Sequence, residues 1–335
     1  MNVIGGCAAN AVATNFFGAT IAGGGDFGST CGGTHNQPCW NRALAGYAAV
    51  GGGLANTASG GVSTVAGGQW NTASGGEAAV GGGYGNSALG DYATVGGGFG
   101  NTAGVGPSGT GDYAAVPGGC DNTASGEYSF AAGRQANATQ QGAFVWADST
   151  DLAYDPWSLP TPGGYVNSFY VRATGGVFLV TAVDGTGLPT SGTYLWGGGS
   201  GWATYSDRRA KANFSPVDGR AILERLAGIP IETWNYKAQS AWIRHIGPMA
   251  QDFHAAFAVG EDDKTINSLD ADGVALAAIQ GLYQVVQEKD ARIAVQDTQI
   301  AALKAQHAEV AARLAEIEAR LNGNSPAGLV GSWSD

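Results

Sequence analysis

Lysine is missing from the first 205 of the 335 residues, which hold three arginines against ten acids. With a net charge of -11 over the whole chain, this excludes a general nucleic-acid binder, since phosphate contacts need clustered cations. No apolar run approaches the roughly 20 residues of a membrane-spanning helix, and "MNVIGGCAAN" has neither the basic region nor the apolar core of a secretory signal. Insertion into a membrane is not expected. Cysteine is scarce, at 7, 31, 39 and 120. Cys31 and Cys39 flank "GGTHNQP" and are spaced for a small disulfide outside a reducing cytosol. Zinc at Cys31, His35 and Cys39 lacks a fourth ligand, so neither metal nor cofactor is expected.

What is abundant is glycine, 57 residues of it, without the strict Gly-X-Y period of collagen. From residue 41 the chain reads "NRALAGYAAVGGGLA", "NTASGGVSTVAGGQW", "NTASGGEAAVGGGYG", "NSALGDYATVGGGFG". Asparagine returns at 41, 56, 71, 86 and 101, then at 122 and 137, and "GATIAGGG" and "NVIGGCAAN" are weaker copies. A short period with one supersecondary unit per copy indicates a solenoid. Fifteen residues suffice for two short strands and two turns, stacked about 4.8 Å apart from coil to coil.

Ala43, Ala58, Ala73 and Ala88 are then expected in one inward column, and Val50, Val65, Val80 and Val95 in another. The glycines after each valine supply positive-φ corners, and stacked asparagines bond backbone at the opposite corner. Tyr47, Trp70, Tyr84, Tyr92 and Phe99 are left outside, to bind a ligand or a neighbouring chain. Gly98, Gly100 and Ala103 match a dinucleotide-binding string, but no helix follows, and the match is read as chance.

The Asn-Thr-Ala-Ser-Gly and Val-x-Gly-Gly strings resemble the heads of trimeric autotransporter (YadA-like) adhesins. The resemblance implies a trimeric, left-handed parallel β-roll over residues 1–150. It departs from that family in showing no membrane-anchor barrel at the C-terminus. Pro156, Pro160 and Pro162 then mark a linker. "NSFYVRATGGVFLVT" reads as a β-hairpin turning at Gly175 and Gly176, and residues 151–205 are assigned as linker and β-rich neck.

Cations return at "YSDRRAK", residues 205–211. Beyond it, "SPVDGRAILERLAG" has Ser215 as a helix cap, Pro216 at the first turn and Gly228 at the end. "IETWNY" and "WIRHIG" read as strands, and "MAQDFHAAFAVG" as a short helix. Ile279, Val286, Ile293, Ile300, His307, Leu314 and Leu321 recur every seven residues, interleaved with Leu282, Lys289, Gln296, Leu303, Val310 and Ile317. That is a coiled coil, compatible with a trimer, in which His307 forms a polar layer. The fold class expected is a mainly β N-terminal part and an α+β domain (206–275), then a long coiled coil (276–322) and a tail (323–335).

"YSDRRAKANF", "LAGIPIETWNY", "RHIGPMAQDFHAAF" and "LDADGVALAAIQGLYQVV" resemble the endosialidase-type intramolecular chaperone of phage tailspikes and tail fibres, a self-cleaving peptidase family. The resemblance implies a domain that trimerises, guides folding of the preceding fibre and cuts itself off. Carried onto this chain, the cleavage site is Tyr205–Ser206, with Ser206 as nucleophile and Lys211 as general base. Asp207, Arg208 and Arg209 are supporting residues without an assigned role, and His245 and His254 read as packing or hydrogen-bonding residues.

The chemistry is coherent on its own terms. A serine hydroxyl needs a base, and a lysine serves as one only when neutral, which burial or neighbouring cations favour. Five residues are about 140° around a helix and opposite faces of a strand, so a turn or a neighbouring chain must bring Ser206 and Lys211 together. Ser206 and Asp207 also fit a plain helix cap.

The function expected is a homotrimeric fibre or adhesin head for host attachment, on a virion tail or a cell surface, with a receptor or glycan as partner. Two alternatives remain: a glycan-degrading tailspike with the same chaperone, disfavoured by few and scattered acids, and a permanent trimerisation module that never cuts.

Overall fold

The fifteen-residue period becomes a stack of coils, each with two strands of two residues, such as Thr57–Ala58 and Thr64–Val65. In this computed structural model, which describes residues 1–26, 39–105, 111–156 and 165–323, equivalent strands pair in parallel and in register. Ile21, Val50, Val65, Val80, Val95 and Val116 lie side by side. Val12, Ala43, Ala58, Ala73, Ala88, Ala103, Ala124 and Ala138 form the other column. The result is two parallel sheets, of eleven and eight strands. From Ile21 and Ala43 onward both columns are buried. Small side chains let the sheets close on each other, and each buried valine contributes about 1.5–3 kcal/mol.

The corners carry the polar half of the design. Asn41, Asn56, Asn71, Asn86 and Asn101 are fully buried, and a buried amide is costly unless satisfied. Each is satisfied by its neighbours: Asn86 N–H donates to Asn71 Oδ1 (3.0 Å), and Asn86 Nδ2 donates to the carbonyls of Gly82 (2.8 Å) and Gly98 (2.9 Å). Gly83 has φ +86°, and a Cβ there would run into the Gly98 carbonyl oxygen, so the corner requires glycine. Other corners do not. Tyr47, Tyr92, Tyr113 and Tyr128 hold φ between +57° and +61° and are exposed. Tyr113 stacks between Tyr92 and Tyr128 at 4.9 and 5.1 Å. Tyr84 and Phe99 are exposed too, and Trp70 is half-buried.

The hairpin expected at Gly175 and Gly176 is not there. Phe169–Arg172 continues the roll, pairing in parallel with Phe144–Ala147, while Phe130, Phe144 and Phe169 stack at 4.6 and 4.8 Å. Arg172 fastens this last strand through Asp148 (3.1 Å) and the carbonyls of Leu152 and Thr150. The true hairpin joins Gly176–Val183 to Pro189–Trp196, with Trp202–Thr204 as a third antiparallel strand. Its turn is set by Asp184, whose carboxylate accepts from Thr186 and the Leu188 N–H.

The chain divides into two compact units, Met1–Tyr205 and Ser206–Asp335. In the second, helix α1 spans Gly219–Gly228, α2 Ala250–Phe257 and α3 Ser268–Gly323. Asp218 caps α1, accepting from the Arg220 and Ala221 N–H groups. The cap expected at Ser215 is therefore three residues too early, because the Asp218 carboxylate reaches two orphan donors at once. Glu232–Trp234 and His245–Gly247 pair antiparallel. A small core joins Phe253, Phe257 and Val274 with Ile222 and Leu226.

Glycine lets α1 approach α3 closely, for a Cβ on Gly281 would meet the Gly219 carbonyl, and Arg220 reaches Glu288 at 3.1 Å. Ile279, Val286, Ile293, Ile300, Leu303, Val310, Leu314, Ile317 and Leu321 of α3 are all exposed. Among the described residues no helix is long and apolar enough to cross a membrane.

Candidate active site

The segment after Tyr205 is neither helix nor strand but one 3-10 turn, Arg208–Ala210. Asp207 makes it, accepting from the Arg209 N–H at 2.8 Å, and the Lys211 N–H closes it on the Arg208 carbonyl at 3.2 Å. So tight a reversal brings positions five apart face to face. Lys211 Nζ lies 2.6 Å from Ser206 Oγ, donating to it, and both side chains are exposed. Within one chain, the turn alone brings this pair into contact.

The supporting residues, which the sequence left without a role, hold the turn. Arg209 returns to Asp207, its Nη2 2.8 Å from Oδ2. The Arg209 side chain, and then its backbone N–H, hold the Asp207 carboxyl below its usual range. Arg208 lies over the Phe214 ring, 4.3 Å from its centroid, a cation–π contact. The arginines thus brace the turn, and Phe214 belongs to it. The sequence carried Phe214 only as the last residue of the string "YSDRRAKANF", with no role assigned to it. The helix-cap reading of Asp207 is met in small, since it caps the 3-10 turn.

Tyr205, on the other side of the bond, is half-buried. Its N–H donates to the Gly192 carbonyl (3.0 Å) and its ring lies 6.4 Å from Tyr194. His245 and His254 each meet a hydrogen-bond partner, Gln239 Oε1 at 2.9 Å and the Val259 carbonyl at 3.1 Å.

Residues 206–259 match the family model described as chaperone of endosialidase. This segment is therefore similar to the endosialidase-type chaperone domain, a family of the self-cleaving serine peptidase kind. The match opens on Ser206, the first residue of the second unit. No curated protein and no solved structure matches the chain. Among the described residues there is no cluster of His, Cys, Asp or Glu able to hold a metal ion. Cys39 is buried. Cys31, and with it the Cys31–Cys39 pairing, lies outside the described residues.

Proposed function

We propose that this chain is a fibre head of the phage tail or surface-adhesin type, built as a homotrimer by its C-terminal chaperone. The chaperone then frees itself by cutting Tyr205–Ser206. One observation carries the reading: Lys211 Nζ is 2.6 Å from Ser206 Oγ, on the residue where the two units join. The chaperone-family match, beginning at that serine, supports it.

The chemistry runs as a single turnover. With the Lys211 amine neutral, the Ser206 hydroxyl gives it a proton as Oγ adds to the Tyr205 carbonyl carbon. The Tyr205–Ser206 C–N bond then breaks, and the proton passes to the departing Ser206 nitrogen. Tyr205 is left as an ester on Ser206 Oγ. Water hydrolyses that ester, leaving a Tyr205 carboxylate and a new Ser206 N-terminus.

Assembly gates the step by desolvation. Arg208 and Arg209 are engaged with Phe214 and Asp207, and the pair is exposed in the single chain. Taking a lysine out of water favours its neutral form, which a neighbouring chain laid over the turn provides. The trimer thus supplies the surroundings, not the missing partner, of the base.

Release after assembly suits the fold. Stacked coils have unpaired edges until they are complete, and a coiled coil holds three of them together early. The exposed heptad faces of α3 support this. The exposed tyrosines of the head are the surface offered to a receptor or glycan. Intact mass of the folded wild type should give two pieces, 1–205 and 206–335, while Ser206→Ala and Lys211→Ala stay whole. A wild type that stays whole makes α3 a permanent clamp instead.

A further inference from the structure

The sheet just before the cleavage site has no interior of its own. In Gly176–Val183, Pro189–Trp196 and Trp202–Thr204 no residue is buried. Register places Phe178 opposite Tyr194 and Val177 opposite Leu195. One face therefore carries Phe178, Tyr194 and Trp196, with rings 5.3–5.9 Å apart. The other carries Val177, Leu179, Leu195 and Trp202. An antiparallel sheet that meets water alternates apolar with polar; this one is apolar on both faces. Three strands without a covered face are marginal in water.

We propose that this sheet is a second trimer clasp, covered by the same sheet of two further copies, which keeps the heads together once the coiled coil has left. The proposal rests on the trimeric reading above. Charge selects the occupant. Between Thr174 and Tyr205 the sole ionisable side chain other than tyrosine is Asp184, and its carboxylate is taken up in the turn. A partner of opposite charge finds nothing to grip, whereas a copy of this sheet offers a surface as uncharged and aromatic as its own. The long outer strand, Gly176–Val183, also lacks the lysines that guard exposed edges. In the same chain α3 presents a second uncovered apolar stripe, so one assembly of copies satisfies both.

The test uses the uncut full chain, Ser206→Ala, with and without Phe178→Ser and Trp196→Ser together. Molecular mass and backbone hydrogen exchange are read for both. Both chains should be trimers held by α3, but the double substitution should raise exchange at least about tenfold across the sheet and leave the roll unchanged. The 1–205 piece released by the wild type should stay trimeric, and the one carrying the substitutions should fall to monomer.

Fast exchange in the neck of the unsubstituted trimer overturns the clasp and points to a partner of another kind. A substituted 1–205 piece that remains trimeric overturns it as well. A monomeric uncut chain overturns the clasp and the functional reading together. A trimer that never cuts itself overturns only the cleavage, and the exchange result still decides the clasp.

Discussion

The roll and the long helix are both built on repeats, yet one is complete within a single chain and the other is not. Val80 in the roll is 1% exposed, while Ile279 on the helix is 61% exposed. In the roll each coil is the partner of the next, so both apolar side chains and polar amides are satisfied by chain neighbours fifteen residues away. The helix satisfies only its backbone internally, and its apolar stripe is left exposed in the single chain. On the proposed reading the difference divides the labour: the helix, with its exposed stripe, brings three chains together, and the self-contained roll persists.

The comparison breaks most severely at the asparagine ladder. Asn86→Ala removes the acceptor of the Asn101 N–H and the donors to Gly82 and Gly98. Leaving buried groups unpaired should cost about 2–4 kcal/mol. Unfolding followed by denaturant should show that loss in the roll transition alone, with the α3 helical transition unmoved. Equal loss in both would contradict a self-contained roll.

A smaller effect sharpens the same point at the end of the roll. The Thr174 hydroxyl, then its backbone N–H, and further Thr150 hold Asp148 well below the usual carboxylate range. A group depressed in the folded state stabilises above its unfolded value, about pH 3.9, and loses that contribution as pH falls through the folded value. The roll's melting midpoint should therefore fall by about 2–4 °C more below pH 4 in the wild type than in Asp148→Asn. Parallel curves would remove Asp148 from the fastening of the last strand.

How far the sequence could be read follows from the same contrast. Alanine, valine and asparagine columns were legible because every coil gives a position the same fate, so burial repeats with the letters. The last strand was not, because an insertion of uneven length precedes Phe169 and two glycines imitated a turn. Ser215 was chosen over Asp218 because Ser-Pro is a strong helix opening, and only geometry shows which oxygen reaches the free N–H groups. Ser206 and Lys211 were singled out through the family strings. Their meeting was not, since it depends on a 3-10 turn made by Asp207, and a spacing of five points away from contact in any regular element.

The base is tested most directly by Lys211→Arg. Arginine keeps the positive charge and can still donate to Ser206 Oγ, but it does not lose its proton in proteins. The folded variant, followed by intact mass over time, should show no break after Tyr205 while the wild type divides into 1–205 and 206–335. Cleavage of the arginine variant at the wild-type rate would contradict the assignment.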